Sequence, residues 1–312
     1  RGRAERVRSS ITYTRLNNSP VTRLQTSDGW LRFSSPIRLS GHSIPRGRLE
    51  RVLADGVAPR VRRETVTDWI TRCRLSAGDV LYGCYEGPPG FPCDLDNVLI
   101  CDLGAHAFAS ITRDGLQLER GPDAGDGDYH FMYGLIPAGS PFQHHRPGRA
   151  IVVLDAVLDR GGRDASSVWQ AVKRGSVDAR EPGTAAGRPL LLNVALEGPR
   201  PGMPAAAIVL KPIIDGITCA LQATDKALVP VDAVNRLAQR LEQAPKMILN
   251  WLTDHRFAVL GLSDRLVTTA RTGQLEWNPN DRCVVGIEMR LECTDREIPV
   301  RVRATIREVA SG

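Results

Sequence analysis

The sequence predicts a fold of the α/β class, α+β in type, with mixed or mainly antiparallel sheets, a few packed helices and room for two sub-domains. Three patterns carry that expectation. Residues 298–309 alternate, with Val300, Val302, Ala304 and Ile306 on one side and Arg301, Arg303, Thr305 and Arg307 on the other. That is the period-2 signature of an antiparallel strand with one buried face. Residues 230–244 place Val231, Val234, Leu237, Ala238 and Leu241 on one stripe with Arg236 and Arg240 turned away, the pattern of an amphipathic helix. Asp114-Gly115, between Phe108-x-Ser110-x-Thr112 and Leu116-x-Leu118, carries the turn chemistry of a hairpin.

The elements follow in chain order. Residues 1–28 are Arg-rich and polar and read as an arm or an exposed strand pair, with β propensity at Ile11-Thr12-Tyr13-Thr14. Trp30–Phe33 is the first clear strand. Pro45–Ala54 and Glu64–Leu75 read as helices, the second from the i, i+3, i+4, i+7 spacing of Val66, Trp69, Ile70 and Cys73. Val80–Tyr85, Val98–Leu103, Tyr129–Ile136 and Ala150–Leu158 read as strands. Residues 159–189 are rich in Gly, Arg, Asp and Pro apart from a short helix near Ser166–Lys173, and are expected to form a linker or long surface loop. They divide an N-terminal α+β domain over 1–158, carrying the Arg-rich arm, from a C-terminal α+β domain over 190–312. In the second half Leu190–Leu196 and Ala205–Leu210 read as strands, Ile213–Ala223 as a helix, and Arg282–Leu291 as a further strand.

The apolar fraction of 42% is that of an ordinary globular chain, and 312 residues can bury a large core. No apolar run approaches the roughly 18–20 residues that span a bilayer. The cysteines number seven, an odd count without a CxxC pair, which argues against a structural zinc knuckle and for free thiols in a reducing cytoplasm. His144-His145 are flanked by Pro141 and Pro147 and read as loop residues rather than metal ligands. Phosphate loops of the GxxxxGK[ST] type, GxGxxG turns, HExxH helices and GxSxG elbows are absent.

Two acidic stretches carry chemical interest. In Asp94-Leu95-Asp96-Asn97, carboxylates two apart on a strand point the same way, so Asp94 and Asp96 can face one Mg²⁺ ion, with Asn97 adding an amide oxygen. In Lys211-Pro212-Ile213-Ile214-Asp215-Gly216, a Lys and an acid lie close together, and Asn280-Asp281 later leads into a strand. Asp94, Asp96, Asp215 and Asp281 are the expected metal ligands, with Lys211 as a catalytic cation on the phosphate. The plainer account makes Asp94 to Asn97 ordinary loop closers, Asp215 the cap of a helix starting at Gly216, and Asn280-Asp281 a tight turn.

Taken in order, these residues resemble the RusA group of Holliday junction resolvases. Pro92, Asp94, Asp96 and Asn97 match that group's first acidic motif, with Cys93 inserted. Lys211, Pro212, Asp215, Ala220, Leu221 and then Asn280 and Asp281 follow the order of the rest, with Gly216 where the group has Asn and Asn280 where it has Asp. The resemblance covers under a third of the chain and implies a Mg²⁺-dependent nuclease site.

The net charge is +6, with Arg far outnumbering Lys. Arg60, Arg62, Arg63, Arg301 and Arg303 are the candidate phosphate contacts of a nucleic-acid surface, while surface charge of this kind also serves simply as a solvated, ion-paired face. The expected function is therefore a nucleic-acid-directed protein with a carboxylate, nuclease-like site, intracellular and without a membrane anchor. The competing expectation is a non-catalytic subunit that binds other protein subunits through its Arg-rich arm and long loops. A small-molecule enzyme whose site is built from scattered residues is the third.

Overall fold

The structure, a computed structural model, describes residues 23–27, 29–35, 66–73, 75–88, 94–125, 128–159, 163–180 and 182–310. The expected helix at 45–54, most of the Arg-rich arm, and Arg60, Arg62 and Arg63 lie outside the described residues. Among the described residues the fold is α+β: one ten-stranded, mostly antiparallel sheet carries the helices.

The strands run β1 (Arg23–Ser27), β2 (Trp30–Ser35), β3 (Asp79–Glu86), β4 (Gly115–Arg120), β5 (Tyr129–Pro137), β6 (Pro147–Val157), β7 (Ser176–Ala179), β8 (Leu190–Pro199), β9 (Val267–Thr269), β10 (Leu275–Trp277), β11 (Val284–Thr294) and β12 (Arg301–Val309). Residues 66–72 form helix α1. Further helices are α2 (Leu95–Leu99), α3 (Ala165–Arg174), α4 (Ala206–Ala220), α5 (Val231–Arg240) and α6 (Pro245–Leu252). The sheet order is β1-β2-β5-β3-β4-β11-β8-β12-β6-β7, with β9 and β10 as a separate pair. Among the described strand pairs, β3–β4 and β8–β11 are parallel and the others antiparallel. The 159–189 segment supplies α3 and the edge strand β7, and the sheet runs through both halves of the chain by way of β4–β11 and β6–β12.

Pairing register explains the core. Across the sheet, Tyr133, Gly83, Leu118, Ile287, Leu192, Ile306 and Val152 are successive partners. Because side chains alternate, this row faces the helices, and its large members are buried there. Full burial of each such side chain stabilises the fold by about 1.5–3 kcal/mol. One register over, Cys84, Glu119 and Gly286 are partners on the opposite face. The alternation expected for β12 holds, with Val302, Ala304 and Ile306 buried and Arg301 and Arg303 outside.

Three strand expectations are overturned. Val98–Leu103 belongs to α2 and a following 3-10 turn at Cys101–Leu103. Phe108–Thr112 falls in a 3-10 segment over Ala105–Ile111, so Asp114-Gly115 leads from that segment into β4 rather than joining two strands. Ala205–Leu210 opens the long helix α4, which continues through Pro212. A short apolar run cannot by itself separate a buried strand from a buried helix.

Candidate carboxylate site

α4 sets the site. Its N-cap residue, Ala205, has no side chain to satisfy the first amides, and Thr112 does this instead. Its carbonyl accepts from the Ala206 N–H at 2.8 Å and its Oγ1 from the Ala207 N–H at 3.4 Å, groups that a helix start otherwise leaves unpaired. Lys211 and Asp215 are one turn apart on this helix, and Lys211 Nζ donates to Asp215 Oδ1 at 3.2 Å. Asp215 therefore lies within the helix and does not cap one.

α2 brings in the second pair. Asp94 occupies its N-cap position with extended backbone but makes no side-chain cap bond. Its Oδ2 accepts from Asn97 Nδ2 at 3.0 Å. Asp96, in the first turn, is 1% exposed. The two acids are thus set by a helix start, not by the same-face geometry of a strand. Lys211 Nζ stands 3.5 Å from Asp96 Oδ2, and that oxygen has no hydrogen-bond partner.

Asp281 arrives from the turn before β11, where its carbonyl accepts from the Val284 N–H at 2.8 Å. The preceding residue is pinned twice: Gln222 Nε2 donates to the Asn280 carbonyl at 3.0 Å, and the Asn280 N–H donates to Gln222 Oε1 at 3.1 Å. Gln222 is fully buried just beyond α4, so this amide clamp holds Asp281 beside the helix.

The electrostatics follow from burial. Desolvation raises the Asp96 carboxyl, with Lys211 opposing it and Asp94 adding to it. Asp215 is pushed up to about 7 by burial, against the pull of Lys211 and with the repulsion of Asp96. Asp281 is raised well above the usual carboxylate range by burial and then by Asp94, Asp96 and Asp215. Burial lowers the Lys211 ammonium, but Asp96 and Asp215 outweigh it and hold its pKa above the ordinary value. Asp96 and Asp215, from two separated stretches, thus flank one ammonium, with Asp94 and Asp281 near enough to act on them electrostatically.

Among the described residues, the ligand atoms of Cys84, Glu86 and His144 lie within 4.8 Å of one another, whereas the aspartates around Lys211 form no such group of three. That cluster was not anticipated from the sequence. The Cys-x-Glu spacing on one face of β3 was the signal available for it. Of the expected phosphate contacts, Arg301 pairs with Asp155 at 2.7 Å. Arg303 pairs with Glu292 and lies 3.7 Å from Glu197. Among the described residues, no helix is long and apolar enough to cross a membrane.

No protein-family model matches the chain, and no curated protein matches it. A solved structure, "Cyanuric acid hydrolase: evolutionary innovation by structural concatenation", aligns at 16% identity over 79% of this chain and 64% of that one, with a TM-score of 0.18. The chain thus spans less than two thirds of that protein's length, and a likeness this slight carries no argument about fold or activity.

Proposed function

We propose that this protein acts on nucleic acid through a Mg²⁺-dependent, nuclease-like site formed by Asp94, Asp96, Asp215 and Asp281, with Lys211 as its resident cation. The observation that carries the proposal is Asp96 Oδ2, a buried carboxylate oxygen without a hydrogen-bond partner, set among further acids that a single ammonium does not balance. A buried charge left unpaired costs several kcal/mol, so such a cluster either takes up protons or takes up a cation. The raised carboxyls of Asp96, Asp215 and Asp281 are the proton-bound side of that choice.

The donor set suits Mg²⁺, a hard ion that prefers oxygen. No three of these aspartates lie within 4.8 Å of one another among the described residues, so one or two of them would hold Mg²⁺ directly and waters would complete its shell. When bound, the ion would polarise a phosphoryl oxygen and lower the pKa of a coordinated water. Lys211, whose side chain is 41% exposed, can turn its ammonium toward an incoming phosphate and stabilise the charge that develops there. Asp215, titrating close to neutrality, can accept or return a proton at its carboxylate oxygens. Arg301 and Arg303 lie on the sheet face turned away from α2 and α4 and are engaged by carboxylates there, so the proposed site does not include them.

The test is cleavage of branched and duplex DNA by the full chain with Mg²⁺ or Mn²⁺. Metal-dependent cleavage is expected, and Asp94→Asn or Asp96→Asn should abolish it. A folded wild-type protein that cuts neither substrate with any divalent ion ends the catalytic reading.

A further inference from the structure

We propose that Cys84, Glu86 and His144 form a second metal site, which takes an ion of the Zn²⁺ class through thiolate, carboxylate and imidazole ligands. This site is independent of the carboxylate cluster and lies on the other face of the sheet. Tyr82 and Cys84 pack with Val80 and Ile136 on the face away from the helices, whereas the alternate β3 residues Leu81 and Tyr85 belong to the helix-side core. Cys84 and Glu86, two apart on β3, point the same way. His144 comes from the loop between β5 and β6, and the three ligand atoms lie within 4.8 Å of one another.

Two features show a site held in place. Glu119, fully buried on β4 and paired in register with Cys84, spends both its oxygens on the surroundings. Oε1 accepts from the His144 N–H at 2.7 Å, and Oε2 accepts from the Gln143 N–H at 2.9 Å and from the Tyr82 hydroxyl at 3.0 Å. A buried carboxylate thereby fixes the backbone that delivers the imidazole, as outer-shell groups do at metal sites. Gly121 leaves room for the second ligand: a Cβ there would come within 2.5 Å of Glu86 Cγ.

The chemistry selects the ion. A sulfur ligand disfavours Mg²⁺ and Ca²⁺, while mixed sulfur, nitrogen and oxygen donors suit Zn²⁺ and its substitute Co²⁺. Tetrahedral coordination requires ligand atoms roughly 3.3–3.6 Å apart, given metal–ligand distances of about 2.0–2.3 Å, a modest closing of the present arrangement. His144 is exposed, so the fourth position faces solvent, the open coordination that distinguishes reactive zinc sites from purely structural ones.

The experiment is titration of the full chain with Co²⁺ followed by absorption, then displacement by Zn²⁺. One equivalent should produce a thiolate-to-cobalt charge-transfer band, lost in Cys84→Ser. His144→Ala, at an exposed position that leaves the fold intact, should weaken binding roughly tenfold or more. Asp96→Asn should leave the band in place. The proposal is overturned by the absence of a band in the wild type, by its persistence in Cys84→Ser, by unchanged affinity in His144→Ala, or by its loss in Asp96→Asn.

Discussion

Lys211 on α4 and Asp96 on α2 stand 3.5 Å apart, too far for a strong bond, and the buried oxygen that faces the ammonium has no other partner. Asp96→Asn removes the charge while keeping the shape. At pH 8 without metal this variant should be more stable than wild type by roughly 1–2 kcal/mol, as substitutions at strained functional positions often are. It should also lose the Mg²⁺-dependent gain in stability. Urea unfolding with and without Mg²⁺ reads both effects, and a destabilised Asp96→Asn protein would count against a strained carboxylate.

Lys211→Met should act in the opposite direction. It leaves Asp96 and Asp215 without their ammonium, and removing one member of a buried pair costs about 3–5 kcal/mol. Solvent reaches part of the Lys211 side chain, so about 1–3 kcal/mol is expected here. Chemical denaturation at pH 8 measures the loss, which Asp96→Asn in the same chain should partly recover.

Stability of the metal-free protein should depend on pH through Asp215. Its carboxyl titrates near 7 when folded against 3.8 ordinarily. Between those values the folded state binds more protons than the unfolded state, so this group's contribution falls as pH rises from about 4 to about 7. The change is bounded at roughly 4 kcal/mol by the size of the shift. Asp164 and Asp254, held below the usual range, titrate beneath this window. The difference in Tm between wild type and Asp215→Asn should therefore widen with pH across it; a constant difference would refute the assignment.

Gly216 is where α4 meets α3. A Cβ at this position would lie 2.5 Å from Val168 Cβ and 2.9 Å from the Ala165 carbonyl. Gly216→Val should force the helices apart at a cost of about 1–3 kcal/mol. Because Asp215 is adjacent, the same variant should weaken Mg²⁺ binding, which calorimetry can detect.

The outer strands were legible where they keep one wet face. β12 and β6 alternate, and the amphipathic stripe of α5 is unambiguous. The buried helices were harder to read. From Ala206 to Leu210 every residue is apolar and Pro212 follows, so composition suggests a strand and a stop, yet packing carries the helix past the proline. The acids of the carboxylate site were legible as residue types, but the clamp between Gln222 and Asn280 was not, since it joins positions 58 residues apart. The Glu119 network was hidden for a related reason: in the alternating strand Gly-Leu-Gln-Leu-Glu-Arg a Glu reads as solvent-facing, with no hint that its partners are amides of a later loop.

The sheet order has a consequence for biosynthesis. β11 lies between β4 and β8, and β12 between β8 and β6. Until residues 284–309 leave the ribosome, β4, β6 and β8 each present unpaired backbone along at least one long side. Such open edges invite pairing with other nascent chains. Asp281 sits just ahead of this segment, so the acid cluster closes only when the centre of the sheet is zipped up, and shortened chains should depend on chaperones and lack the assembled cluster.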